Sequence, residues 1–190
     1  HFKKVYLVLL LLISQFSFSQ EGIPVYSDYL SDNLYLIHPS MAGAANCAKV
    51  RLTGRQQWFG NDKAPALQTA SFNGSLGDRS GAGIILFNDE NGFHSQRGFK
   101  VSYAHHIMFS RTDVDLNQLS FGINAGLVQS QLDQSQFEGF DPIVNEAIQK
   151  DAYFNVDLGV SYHYMDFFTH VTMKNFLANQ RRELYSEGFE

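Results

Sequence analysis

Cysteine is nearly absent from this chain. Cys47 stands alone among 190 residues, which excludes an intrachain disulfide and with it a disulfide-stapled secreted scaffold. Cys47 itself reads as a small buried side chain. Clustered positive charge is also missing. Lysine and arginine number 14 against 19 acidic residues, a formal net charge of −5. Arg181-Arg182 is the one basic doublet past the amino-terminal region and reads as a solvated surface pair. No nucleic-acid partner is expected from such a distribution. Proline is scarce, with four residues, whereas phenylalanine and tyrosine are plentiful at 17 and nine. Abundant aromatics and glycine with few prolines suit closely packed sheet pleats, in a membrane or out of one.

Long apolar runs are absent after the first residues, so no later window reads as a transmembrane helix. The one early run, Val5 to Ile13, follows Lys3 and Lys4 and precedes the small-residue stretch Ser17-Phe18-Ser19. That layout predicts a signal peptide over residues 1–19, cleaved to leave Gln20 first, and it is too short to span a bilayer. No cysteine follows it, so lipoprotein processing is not expected. Loss of the two signal lysines takes the mature chain to about −7. The chain is thus read as exported. If it sits in a membrane it does so as strands, because only helices and closed barrels satisfy every backbone group in lipid.

Alternation of apolar and polar residues supplies the strands. Val50–Trp58, Gln68–Leu76, Gly81–Asn88, Phe99–Phe109, Leu119–Val128, Phe154–Tyr164 and Phe167–Lys174 are the seven candidates. In the sixth, Phe154, Val156, Leu158, Val160, Tyr162 and Tyr164 alternate with Asn155, Asp157, Gly159, Ser161 and His163. The third is apolar on both faces and gives no orientation. Several runs reach the roughly 9–11 residues that a tilted strand needs to cross a bilayer, where soluble strands average about five or six. Asn, Asp, His, Ser and Gly on the alternate face suit a wet or networked interior. Alternation by itself does not say which face points inward.

Turn residues part these runs. Tight turns are expected at Gly77-Asp78-Arg79 and Met165-Asp166. Longer connections are expected at Asn61-Asp62-Lys63, Asp89–Gly98 and Gln129–Tyr153, and an intermediate one at Ser110–Gln118. The last long loop includes a candidate surface helix, Asp141–Ile148. Short and long connections broadly alternate, as periplasmic turns and extracellular loops do in outer-membrane barrels. Seven is an odd count for a bacterial barrel, and open sheet edges are costly in lipid. The expected fold is therefore all-β, an antiparallel outer-membrane β-barrel incomplete in this chain, which reads as the N-terminal part of a longer one. Residues 20–49 read as an irregular segment packed in or under the barrel, and residues 50–190 as barrel.

One constellation points to a family. Arg55, Gln57, Trp58 and Gly60 are followed by Pro65 and Thr69. Upstream lie Pro39 and Ala42-Gly43, and downstream Gly81-x-Gly83 and Asn88-Asp89. Together these resemble the PorP/SprF family of Bacteroidetes outer-membrane proteins of the type IX secretion system, from the signal peptide to about Asn179. His38 stands where the family's Asn-Pro-x-x-Ala-Gly segment has asparagine. The resemblance implies a non-enzymatic barrel that helps export large surface proteins such as adhesins and hold them at the cell surface, alongside the gliding machinery. It implies as partners a cargo C-terminal sorting domain, a periplasmic peptidoglycan-binding protein, ring components of the machine and outer-membrane lipid. Within the motif, Trp58 suits a membrane interface, Gly60 a turn and Pro65 a rigid loop return. Arg55 on a lumen face needs a carboxylate, for which Asp28 and Asp32 are candidates.

Other chemistry is thinly signalled. His105 and His106 are strand neighbours and point to opposite faces. His163 and His170 flank a tight hairpin and can approach each other, but no third ligand accompanies them. Asn88–Gly92 lacks the spacing of an EF-hand, and Gly81-x-Gly83 lacks the context of a dinucleotide loop. No Gly-x-Ser-x-Gly elbow is present. No cofactor, metal site or catalytic residue is expected. A passive pore and, below it, a barrel-wall hydrolase using Ser and His are the alternative functions.

Overall fold

Seven antiparallel strands follow one another along a single sheet. The computed structural model describes residues 32–45, 47–58, 60, 63–111, 116–133 and 148–177. The strands are β1 (Lys49–Gln56), β2 (Ala66–Gly77), β3 (Ser80–Asn91), β4 (His94–Arg111), β5 (Leu116–Asp133), β6 (Ile148–Tyr164) and β7 (Phe167–Met173). Each pairs with its sequence neighbours in the order β1 to β7, and the sheet curls into half a barrel. Two 3₁₀ turns, Leu34–Leu36 and Pro39–Met41, precede β1. Among the described residues no helix is long and apolar enough to cross a membrane.

The strands outrun the apolar runs that announce them. β4 and β5 have 18 residues each and β6 has 17, well past the roughly 9–11 that a crossing requires. The longer loop expected at Asp89–Gly98 does not exist. Asn88 pairs with Arg97, Asp89 with Gln96, Glu90 with Ser95 and Asn91 with His94, leaving a two-residue turn at Gly92-Phe93. Gly92 has φ +65, a conformation open to glycine and typical of two-residue hairpin turns. These polar residues keep the ladder although nothing apolar alternates with them. For the same reason β5 continues to Asp133 and β6 begins at Ile148, shortening the expected Gln129–Tyr153 connection. The two expected tight turns are present, with Gly77 opposite Ser80 and Tyr164 opposite Phe167.

The two faces settle the orientation. Val50, Leu52, Phe72, Val101, Phe121, Phe154 and Val160 lie on the exposed face, Leu52 with 78% of its surface open. Thr69, Ser71, Asn73, Lys100, Ser102, His106, Ser120, Asn124, Asp157 and Ser161 lie on the buried one. A water-soluble barrel places its apolar residues inside; here the arrangement is inverted, as in a barrel whose outer wall meets lipid. β3 is apolar both ways because Ile85 and Phe87 turn inward, where they cluster with Tyr35, Ala42, Ala104 and Val128. Cys47 is exposed rather than buried. It precedes β1, which among the described residues pairs with β2. The signal peptide, residues 141–147 of the expected loop helix Asp141–Ile148 and Arg181-Arg182 lie outside the described residues, and Ile148 itself opens β6.

Candidate functional site

The buried face of the sheet is covered by residues 32–45, and the fit depends on where side chains are missing. A Cβ at Gly122 would run into the backbone of Pro39 and Ser40, one at Gly81 into the Ala42 carbonyl, and one at Gly159 would stand 2.9 Å from the Pro39 ring. The glycines of β3, β5 and β6 thus form a shallow seat for the turn Pro39–Met41. Gly43 has φ +67 and lies against the backbone of Gly74 and Gly81. Close backbone approach of this kind is open to glycine alone.

Hydrogen bonds fasten the segment strand by strand. Asn33 Nδ2 donates to Ser71 Oγ on β2 (3.0 Å), and the Tyr35 hydroxyl meets Ser102 Oγ on β4 (2.6 Å). Ser40 Oγ bonds Ser161 Oγ on β6, and His38 Nδ1 meets Thr172 Oγ1 on β7 at 2.8 Å. His106 Nε2 lies 3.0 Å from the Ala42 carbonyl oxygen. A carbonyl only accepts, so this imidazole carries its proton on Nε2. Its Nδ1 then accepts from Ser120 Oγ at 2.9 Å, and Gln118 Nε2, 3.1 Å from that nitrogen, donates to Ser120 Oγ at 2.8 Å. Burial pushes the Tyr35 phenol up to about 12, against a smaller lowering from its bond to Ser102. Burial, then the charges of His170 and Lys174, brings His38 down to about 4, so the imidazole is docked neutral.

The expected motif residues fall into two groups. Pro39, Ala42 and Gly43 belong to the seated segment, near the end of the sheet where β1 begins. Arg55, Gln57, Trp58, Gly60, Pro65, Thr69, Asn88 and Asp89 gather at the other end. Arg55 stands opposite Leu67, which stands opposite Asp89 on β3. Thr69 is buried between Thr53 and Phe87. Gln57 N–H donates to the Pro65 carbonyl at 2.9 Å, drawing the loop's two ends together. Trp58 turns outward with φ 53 and is largely exposed, and Gly60 has φ +90. Asn88 Nδ2 donates to Glu90 Oε1 at 3.1 Å. Asp28 lies outside the described residues. Asp32 borders a cavity with Lys49 and Arg51 at the opposite end of β1 from Arg55.

Several residues that hold this architecture carry no motif. Lys100 on β4 and Asp157 on β6 form a buried ion pair of 2.6 Å, and Asp157 Oδ1 also accepts from Asn175 N–H at 3.0 Å. Tyr35, Ser40, Ser102 and Ser161 are likewise unmarked in the sequence beyond their place on the polar face. His163 and His170 do approach, with ring centroids 5.2 Å apart, and His38 stacks on His170 at 4.9 Å. Among the described residues no three His, Cys, Asp or Glu side chains are placed to hold a metal ion. Ser161 meets His170 Nδ1 at 2.7 Å. Its hydroxyl is buried beneath Ser40.

The comparisons with known proteins agree with this geometry. No curated protein and no solved structure matches the chain. The sequence pattern of the family described as type IX secretion system membrane protein PorP/SprF matches residues 18–188. An inverted β-sheet with an apolar outer wall, matched over nearly its whole length by that pattern, places this chain in the PorP/SprF family of type IX secretion system membrane proteins.

Proposed function

We propose that this chain works as a non-enzymatic outer-membrane barrel of the type IX secretion and gliding machinery, helping a large secreted protein such as an adhesin to cross and stay at the cell surface. The observation that carries the reading is the inversion of the sheet. Strands of 12 to 18 residues show apolar side chains outward and a hydrogen-bonded polar face inward. The two-residue turns at Asp78-Arg79 and Met165-Asp166 mark the periplasmic end, and the 57–65 and 134–147 connections mark the extracellular one. Residues 32–45 then fill the periplasmic half of the interior. Trp58 sits at the outer interface, apolar ring towards hydrocarbon and N–H towards water. Arg55 is read as holding a carboxylate of the N-terminal region, for which Asp28 is the candidate left once Asp32 is found at the other end of β1. The 134–147 connection faces the cargo's C-terminal sorting domain, and residues 20–46 face the periplasmic peptidoglycan-binding and ring components.

Photocrosslinkers placed in these two regions in living cells test the reading. The expected adducts are a large surface protein from the loop and a secretion component from the N-terminal region. Adducts confined to lipid and unrelated porins would contradict it.

A further inference from the structure

Between the seated segment and the start of β1 lies a cavity of about 370 Å³. Its walls carry both polar and apolar side chains. Leu34 and Met41 supply the apolar side, and Lys49 and Arg51 supply two cations. Among the described residues neither Lys49 nor Arg51 has an ion-pair or hydrogen-bond partner. Asp32, exposed at the rim, sets one negative charge against these two. The cavity is therefore locally cationic in a chain whose net charge is −5.

A second observation comes from unsatisfied buried groups. Asn73 lines the cavity and is 3% exposed. Its Oδ1 accepts from Gly43 N–H at 3.4 Å, while its Nδ2 has no partner. His163 also lines the cavity, and its Nε2 is buried and unpartnered. A buried donor left unmade costs free energy, and Asn73 Nδ2 is such a donor beside the cavity; with the two unpaired cations it describes a site for hydrogen-bond acceptors with negative charge. A carboxylate matches this set, since arginine holds it through two parallel N–H bonds. The apolar side of the wall asks for a side chain beside that carboxylate. The volume admits one or two residues.

We propose that this cavity binds the carboxylate of a peptide segment presented from the periplasmic end. The direction of approach rests on the outer-membrane reading above; the ligand chemistry rests on the cavity.

The test uses the natural polypeptide that carries this sequence, folded in detergent. The probe is the tetrapeptide Ala-Leu-Ala-Asp with a free terminal carboxylate, carrying a neutral dye, and its twin is Ala-Leu-Ala-Asn amide. Fluorescence anisotropy should show the acidic peptide binding at least about tenfold more tightly, as expected for charge-assisted pairing. Arg51→Gln and Lys49→Gln should each weaken it several-fold, and Arg51→Lys should restore part of the loss. Equal binding of both peptides, or unchanged binding by Arg51→Gln with a native unfolding profile, would overturn the proposal. Displacement by acetate at a concentration equal to the peptide's would overturn its peptide part. Resistance of the chain to alkaline or urea extraction from membranes is scored separately. A chain that inserts but does not bind refutes the cavity site while leaving the outer-membrane reading standing.

Discussion

Lys100 and Asp157 belong to strands that are not neighbours, yet Lys100 Nζ lies 2.6 Å from Asp157 Oδ2 across the whole width of β5. Opposite Lys100 on β5 stands Gly126, which has no side chain to fill the gap. The pair is buried on both sides, and Asp157 has a further donor in Asn175 N–H. Asp157→Ala leaves an ammonium group buried without its counter-charge, and breaking such a pair costs about 3–5 kcal/mol. Thermal unfolding followed by heat-dependent gel mobility should show a large drop for Asp157→Ala. The double change Lys100→Met with Asp157→Leu should recover most of it.

Gly122 tests the seat directly. Gly122→Val drives a branched side chain into the backbone of Pro39 and Ser40, and overpacking of this kind costs about 1–3 kcal/mol. The strands lose nothing by it, since valine favours a sheet. The expected result is rapid protease cleavage within residues 32–45 with unchanged sheet content by circular dichroism. Gly54→Val is the control, because nothing lies within 4 Å of its would-be Cβ.

The docking of the segment should weaken in acid. His38 falls from 6.5 to about 4 when docked, so the docked state binds fewer protons than the free one. Its contribution is complete above pH 6.5 and is lost as pH falls from there towards 4. His170 stacks on the ring, and Lys174 adds repulsion once it is charged. Protease sensitivity of residues 32–45 should rise over that window. His38→Asn keeps a partner for Thr172 without a titrating ring and should flatten the rise. An equal pH response in both proteins would assign the effect elsewhere.

The turn at Gly92-Phe93 depends on a positive φ. Gly92→Ala should destabilise the β3–β4 hairpin by about 1 kcal/mol, and Gly92→Asn by less, because asparagine tolerates the left-handed region. Urea unfolding in detergent measures both. Equal stability of all three proteins would show that the turn is not constrained at this residue.

Most of the sheet was legible because lipid and a polar interior impose opposite demands on alternate residues. Phe154–Tyr164 announces β6 and both its faces in one reading. The orientation of β3 was not legible, because Ile85 and Phe87 face Tyr35, a partner 50 residues away in sequence. Strand ends were not legible either. Ser95–Gly98 and Gln129–Asp133 pair fully, yet they carry no apolar alternation once past the lipid-facing band. The motif residues Pro39, Ala42 and Gly43 were picked out by resemblance, but their seat was not. Gly81, Gly122 and Gly159 are scattered along the chain, and nothing local links them to the segment they receive. Lys100 and Asp157 read as ordinary polar-face residues for the same reason.

The account rests on which way the strands face. With Cys47 replaced by serine, single cysteines at positions 120, 121, 123 and 124 of β5 can carry spin labels in the protein embedded in lipid nanodiscs. Labels at 121 and 123 should be readily relaxed by oxygen, which concentrates in acyl chains, and those at 120 and 124 should not. The opposite phase, or equal relaxation by a water-soluble nickel complex at all four positions, would contradict it.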